Sequence, residues 1–253
     1  MNDYRVVIPA RYGSERLPGK VLQDLHGKPI IYRVAERALQ SQASEVIVAT
    51  DDERIANVAF PVGISVVLTS SEHVSGTDRV NEVSEKFSWA SQSVIVNVQG
   101  DEPLIPPGSI DQVARLLHDN PQIGVSTLYE LITDSSDFVN PNVVKVVCDV
   151  NSQALYFSRS PIPWDREEFS SCASVGKASS SKRHIGLYGY RVWALKKFTR
   201  FSSSPLEKIE RLEQLRFLEN QINIVVAQAE LPVPPGVDTQ EDLERLRNEL
   251  KSA

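Results

Sequence analysis

Three short segments hold residue types and spacings that can do phosphoryl chemistry. The first is Ile8-Pro9-Ala10-Arg11-Tyr12-Gly13-Ser14-Glu15-Arg16-Leu17-Pro18-Gly19-Lys20, directly after an apolar run. Arg11, Arg16 and Lys20 are three cations within ten residues, on a loop made pliable by Gly13 and Gly19 and stiffened by Pro18. Arginine forks match phosphate oxygens and lysine adds a point charge, so the loop suits a polyphosphate. It lacks G-x-G-x-x-G. It is no Walker A loop either, because five residues separate Gly13 from Gly19 and Val21 follows Lys20 where Ser or Thr is required. The second segment, Val94-Ile95-Val96-Asn97-Val98-Gln99-Gly100-Asp101-Glu102-Pro103, puts an acid just past a buried strand and a glycine that permits close backbone approach. Alone, Asp101 reads as a Gly-Asp turn. The third, Pro235-Gly236-Val237-Asp238-Thr239, puts a second acid before a helix, where it would also favour the helix N-terminus. Taken together they predict nucleotidyl transfer. Two carboxylates would hold magnesium near an α-phosphate while cations neutralise departing pyrophosphate.

These segments need a scaffold that brings distant loops together. Short Val/Ile-rich runs at Tyr4–Ile8, Glu45–Ala49, Ile64–Leu68, Val94–Val98 and Ile123–Leu128 read as strands buried on both faces. Helical patterns lie between them. Pro29 opens one, with Ile30, Ile31, Val34, Ala35, Ala38 and Leu39 as its buried stripe; others start at Asp51/Asp52, Thr77/Asp78 and Ser109. The alternation predicts an α/β fold with a mostly parallel sheet and right-handed crossovers, in which ligands bind beyond the carboxyl ends of the strands. After about residue 130 the rhythm changes. Asn142–Val150, Ala154–Phe157 and Ile185–Arg191 read as strands without helices between them, a small antiparallel insertion over about 130–200 within a single domain of 1–253. Ser170–Ser181 reads as an exposed polar loop. A helix from Ser204 to about Asn220, a strand at Ile222–Val226 and a capped helix from Thr239 close the chain.

Composition excludes several classes. With 27 Lys+Arg against 33 Asp+Glu the net charge is −6, which argues against nucleic acid as partner. The first forty residues nevertheless carry a net +3, suited to a small anion. At 253 residues, 41% hydrophobic and 24% charged, the chain is of ordinary globular make-up. No run of about 18 apolar residues predicts membrane insertion, and the N-terminus has no secretory signal pattern. Cys148 and Cys172 form no C-x-x-C, so the cytoplasm is the expected location.

The three segments belong to a longer series. With Val48-Ala49-Thr50-Asp51, Ser75-Gly76-Thr77-Asp78-Arg79, Ala154-Leu155-Tyr156-Phe157-Ser158-Arg159, His184-Ile185-Gly186-Leu187-Tyr188-Gly189-Tyr190, Ser204-Pro205-Leu206-Glu207 and Leu212-Glu213-Gln214-Leu215-Arg216, they run in order along nearly the whole chain. The series resembles the CMP-KDO synthetases, the 3-deoxy-manno-octulosonate cytidylyltransferases. The resemblance implies a dimeric enzyme with a glycosyltransferase-A-like, Rossmann-like sheet. Such an enzyme couples CTP to the eight-carbon acid sugar KDO with Mg2+ for lipopolysaccharide synthesis, and the insertion would contribute to the sugar site and the dimer interface. It implies phosphate binding at Arg11 and Lys20. Ala10, Gly76, Thr77, Arg79 and Gln99 would hold the nucleoside, with Gln99 also facing the sugar, and Asp101 and Asp238 would be the magnesium ligands. Arg159, His184, Tyr188, Glu213 and Gln214 would hold the sugar, with Arg159 forking its carboxylate. Catalysis would rest on Arg11, Lys20, Asp101 and Asp238. The stretch Leu231-Pro232-Val233-Pro234-Pro235-Gly236 is more proline-rich than the resemblance predicts, and Ser170–Arg183 matches it poorly, so no role is carried over from there. Three alternatives stay open. One is a cytidylyltransferase for an amino variant of KDO or for sialic acid. Another is a non-catalytic nucleotide-binding module, against which Lys20, Asp101 and Asp238 speak. The last is a glycosyltransferase, which wants an Asp-x-Asp that this sequence lacks.

Overall fold

The computed structural model describes residues 3–14, 17–73, 75–166 and 181–250. Arg16, Cys172 and the Ser-rich stretch up to residue 180 lie outside the described residues. Nine strands form one sheet among the described residues: β1 (Tyr4–Ala10), β2 (Glu45–Thr50), β3 (Ile64–Leu68), β4 (Val94–Asn97), β5 (Val125–Leu131), β6 (Lys145–Cys148), β7 (Ala154–Ser158), β8 (Lys182–Arg191) and β9 (Ile224–Gln228). The main order is β3-β2-β1-β4-β8-β5-β9, with β6 paired to both β7 and β8. β1 pairs parallel with β2 and β4, and β2 with β3, as the alternating sequence predicts.

β8 belongs to the antiparallel segment read over about 130–200. It runs antiparallel between β4 and β5, so the antiparallel segment is built into the centre of the main sheet. This reversal matters for the site. The carboxyl ends of β1, β4, β5 and β9 reach one edge of the sheet, and the amino end of β8, with Lys182, Arg183 and His184, reaches the same edge.

Strand alternation divides the core between the two faces. Val6 and Ile8 pack with α1 (Ile30–Leu39), α4 (Pro107–Asp119) and α9 (Gln240–Glu249) through Ile31, Val34, Val113, Leu117, Leu243 and Leu246. Val7 packs on the other face with α3 (Gly76–Lys86), α6 (Val192–Phe198) and α8 (Gln214–Glu219) through Val80, Val83, Leu195, Phe198, Leu215 and Phe217. Two short helices, α2 (Glu53–Ala56) and α5 (Ser135–Val139), complete the connections before β6, and α7 (Pro205–Glu210) precedes α8.

Several boundaries differ from expectation. Helix α3 is capped by Ser75, whose hydroxyl accepts from Asp78 N, so Thr77 already lies inside the first turn. Helix α4 begins at Pro107, two residues before Ser109. The single helix expected over 204–220 is two, broken at Arg211, which adopts left-handed φ 53°. Sequence periodicity misses this break because Leu206, Leu212, Leu215 and Phe217 stay apolar across it. The Thr239–Asp242 capping box at the start of α9 forms as read, with both reciprocal bonds present.

Candidate active site

The edge where these strand ends meet holds two connected cavities, of about 430 and 800 Å3. The smaller lies over the first loop and is lined by Ala10, Arg11, Lys20, His73 and Arg79. The larger lies over β8 and the α7–α8 break and is lined by Thr77, His184, Tyr188 and Gln214. Gly76, Gln99, Asp101, Glu213 and Asp238 line both and mark the junction. Of the residues expected at the site, Arg159 lines neither cavity.

At the junction, Lys20 rises from the 3-10 turn Lys20–Leu22 and its Nζ lies 2.5 Å from Asp101 Oδ2 and 3.0 Å from Asp238 Oδ1. Burial alone would lower the Lys20 pKa, but the charge and hydrogen bonds of Asp101 and Asp238 outweigh it and raise the pKa above the ordinary lysine value. The two carboxylates come from chain positions 137 residues apart, joined by backbone contact. Val237 N donates to Asp101 O at 2.9 Å, and a Cβ at Gly236 would stand 3.0 Å from that same carbonyl. Asp101 itself follows Gly100, where a Cβ would stand 3.0 Å from Pro9 O. Side chains at these two positions would push the acid-bearing loops apart.

The donor set fits magnesium. A single cationic group, the Lys20 ammonium, already touches both carboxylates, and both offer hard oxygen donors. Among the described residues no group of three His, Cys, Asp or Glu is arranged as a metal cage. Magnesium suits two carboxylates, because it takes its remaining ligands from water and substrate phosphate.

Around this pair the buried polar groups are held firmly. Arg79 is 4% exposed, pairs with Asp51 Oδ2 at 3.1 Å and bonds Thr69 Oγ1, so one edge of the smaller cavity is a fixed guanidinium. Glu213, which opens α8, accepts from Thr77 Oγ1 at 2.9 Å and joins that helix to α3; the protein packed around its carboxyl group raises its pKa. Burial, with the Arg183 charge adding to it, pulls the His184 pKa from its ordinary 6.5 down to about 3. His184 Nε2 lies 3.0 Å from Thr127 Oγ1, and the ring packs edge-on against Phe157 and tilted against Tyr188. It is a neutral, oriented imidazole.

The guanidinium of Arg159 is directed elsewhere. Its Nε donates to Glu210 O at 2.7 Å, NH1 to Pro141 O at 2.8 Å and NH2 to Arg211 O at 3.5 Å. Lys145 Nζ holds the same region, donating to the carbonyls of Asn140, Val143 and Arg159. Both cations brace the 140–143 loop, and Arg159 also braces the α7–α8 break; the two segments wall the larger cavity. The run Tyr156-Phe157-Ser158 is a strand as read, and it delivers Arg159 behind the wall instead of through it.

Sequence reasoning also passed over groups that face the larger cavity. Glu102 follows Asp101, and its carboxyl is buried with Oε2 unpartnered among the described residues; burial first, then the Asp101 charge, raises its pKa to about 8. Arg183 lines the cavity as well. It lay in the stretch with no recognisable pattern; the available signal was its place beside His184 on an alternating strand. Arg211 lines the cavity from its left-handed position.

Comparison with known proteins adds independent findings. The cytidylyltransferase family profile matches residues 5–224. A 3-deoxy-manno-octulosonate cytidylyltransferase of Cellvibrio japonicus is 52% identical over 246 residues, 96% of each chain. That of Alcanivorax borkumensis is 51% identical over 247 residues, 98% of each chain. A solved structure of CMP:2-keto-3-deoxy-manno-octonic acid synthetase complexed with CTP superposes with TM-score 0.88 at 39% identity, covering 99% of both chains. A cytidylyltransferase structure from Leptospira borgpetersenii, 18% identical, shares the fold with TM-score 0.63 over 100% of this chain and 88% of its own.

Proposed function

The chain belongs to the cytidylyltransferase family, and from that premise we propose that it transfers CMP from CTP to 3-deoxy-manno-octulosonate, giving CMP-KDO and pyrophosphate for lipopolysaccharide synthesis. The observation that carries the reading is the join of two cavities at Asp101 and Asp238, with Lys20 between them. A two-substrate transfer needs two binding spaces meeting at the reacting atoms, and effective concentration there supplies much of the rate.

In this reading the triphosphate lies in the smaller cavity against Arg11 and Lys20, and the nucleoside against Ala10, Gly76, Thr77, Arg79 and Gln99. The sugar lies in the larger cavity, where Gln99, Glu213, Gln214, Tyr188 and neutral His184 offer partners to its hydroxyls. The anomeric 2-hydroxyl oxygen bonds to the α-phosphorus as the bond from that phosphorus to the bridging oxygen breaks. Pyrophosphate leaves and the hydroxyl proton is released. Lys20 and Arg11 stabilise charge that grows on the departing pyrophosphate. Asp101 and Asp238 would hold Mg2+, which supplies charge neutralisation at the α-phosphate and lowers the pKa of a coordinated oxygen. A carboxylate reader for the sugar is assigned to Arg211 on the cavity wall, since Arg159 is committed to carbonyls and Arg183 to Glu130 and the Val233 carbonyl.

The reading includes a homodimer formed through the antiparallel segment. In its support, Val139, Val150, Leu155 and Trp164 of this segment are large apolar residues left exposed, the kind of surface that subunit contact covers. It also includes a cytoplasmic location, where CTP is drawn from a cytoplasmic pool.

The test is a pyrophosphate-release screen across the four nucleoside triphosphates and several 2-keto acid sugars, with Mg2+ present. CTP with KDO is expected to give the highest kcat/KM. Faster turnover with sialic acid or an amino variant of KDO would move the assignment to that sugar, and no release with any pair would leave a binding module.

A further inference from the structure

The loop that delivers Asp238 is unusual in its chemistry. In Pro232-Val233-Pro234-Pro235, Val233 has the sole backbone N–H, because proline has none. That N–H donates to Glu130 Oε1 at 2.7 Å. The Val233 carbonyl accepts from Arg183 NH2 at 3.0 Å, and Arg183 also pairs with Glu130. Glu130 on β5 and Arg183 on β8 are register partners, set opposite one another by the irregularity between Thr127 and Leu128. Val233 is thus gripped at both backbone groups by one cross-strand ion pair, and its side chain is buried in the core face that holds Val237. Three residues further on, Gly236 lies against the Asp101 carbonyl and Val237 bonds to it. The other end of the loop is pinned by Asp242, whose Oδ2 accepts from Asp238 N and Thr239 N.

We propose that Glu130 and Arg183 are positioning residues for magnesium binding: they clamp Val233 and so hold Asp238 at the separation from Asp101 that one cation can bridge. The two prolines after Val233 make its restraint effective, since their fixed φ leaves little freedom to absorb a displacement before Gly236. The proposal rests on the reading of Asp238 as a magnesium ligand.

The test compares Glu130→Ala, which removes both partners' acceptor, with Glu130→Gln, which keeps an acceptor for Val233 N–H but loses the charge. Three quantities are read on the full chain: the Mg2+ concentration for half-maximal pyrophosphate release, Mn2+ affinity in the presence of CTP by electron paramagnetic resonance, and amide exchange over 231–238. Glu130→Ala is expected to raise the Mg2+ midpoint and weaken Mn2+ by about tenfold, the scale on which outer-shell partners act. Exchange at Val233 and Val237 should quicken while the β5–β9 pairing keeps its protection, and Glu130→Gln should fall between Ala and the parent. A lowered melting temperature with unchanged metal midpoints would overturn the proposal and leave the pair a sheet brace only. Asp238→Asn separates the two readings. If it retains both metal affinity and turnover, the ligand assignment fails; if it loses them while Glu130→Ala does not, the clamp alone fails.

Discussion

The two halves of the sheet divide their cations differently between cavity and scaffold. In the parallel half, Arg11, Lys20 and Arg79 line the cavity, and Lys20 lies within 3.0 Å of both junction carboxylates. In the antiparallel half, Lys145, Arg159 and Arg191 are turned inward onto carbonyls. Arg191 alone serves Ile123 O, Gln92 O and Leu117 O. The parallel half has struts of this kind too, Arg33 to the Leu25 and His26 carbonyls and Lys86 to that of Leu68, but these residues do not line the cavities, and the loop after each strand is free to face a ligand. The antiparallel half has reversals, a broken helix and irregular loops, whose orphan carbonyls need donors. The cations of the first loop are therefore ligand candidates, whereas in the antiparallel half Arg183 and Arg211 line the cavity while Lys145, Arg159 and Arg191 hold the scaffold.

The largest effects should come from the junction. Asp101→Asn and Asp238→Asn should each lower kcat by on the order of 10³ while leaving the melting temperature near that of the parent, since in the proposed reading both acids serve charge in the transition state. A variant that turns over near-normally at limiting Mg2+ would dissolve the contrast between the halves at its strongest point. Lys20→Ala should follow at about 10² in kcat, with the KDO KM little changed, because the proposed reading sets it against charge that grows on pyrophosphate. An unchanged kcat with a raised KDO KM would put Lys20 on the sugar side.

Arg159→Lys sharpens the contrast from the other half. Lysine cannot reproduce donation to Glu210, Pro141 and Arg211 carbonyls at once, so stability should fall by about 1–2 kcal/mol in denaturant titration. The KDO KM should rise a few-fold as the wall loosens, and CTP binding should hold. A large KM change at unaltered stability would return Arg159 to the sugar carboxylate.

The smallest effect is a pH slope. His184 is neutral when folded, with its pKa moved from 6.5 to about 3, so between those values the unfolded chain binds more protons. Stability should therefore fall as pH drops from about 6.5 toward 3. His184→Gln should show a shallower loss between about pH 7 and pH 4.5 by thermal melting; equal slopes would mean the imidazole charges in the folded state.

Much of this was legible in the sequence, and the limits follow the same division. The parallel half reads well in its strands and candidate site residues because these are local, Arg11 and Lys20 following β1 and Asp101 following β4, although the starts of α3 and α4 lie earlier than read. The antiparallel half depends on register across long separations. Glu130 meets Arg183 only because β5 and β8 pair across the bulge at Thr127/Leu128, and no local pattern encodes that meeting. The Arg211 break hides inside an unbroken apolar stripe. Arg159 misled because its strand was right and its direction was not.

The central claim is transfer of the α-phosphorus of CTP to an acid sugar at the Asp101–Asp238 junction. Phosphorus NMR of CTP, KDO and Mg2+ with the protein tests it most directly. The account predicts one new phosphodiester signal, carrying the α-phosphorus on both cytidine and the sugar, with one equivalent of pyrophosphate, and formation of both slowed by on the order of 10³ with Asp101→Asn. Release of orthophosphate from CTP, or pyrophosphate formed without the diester, would contradict it.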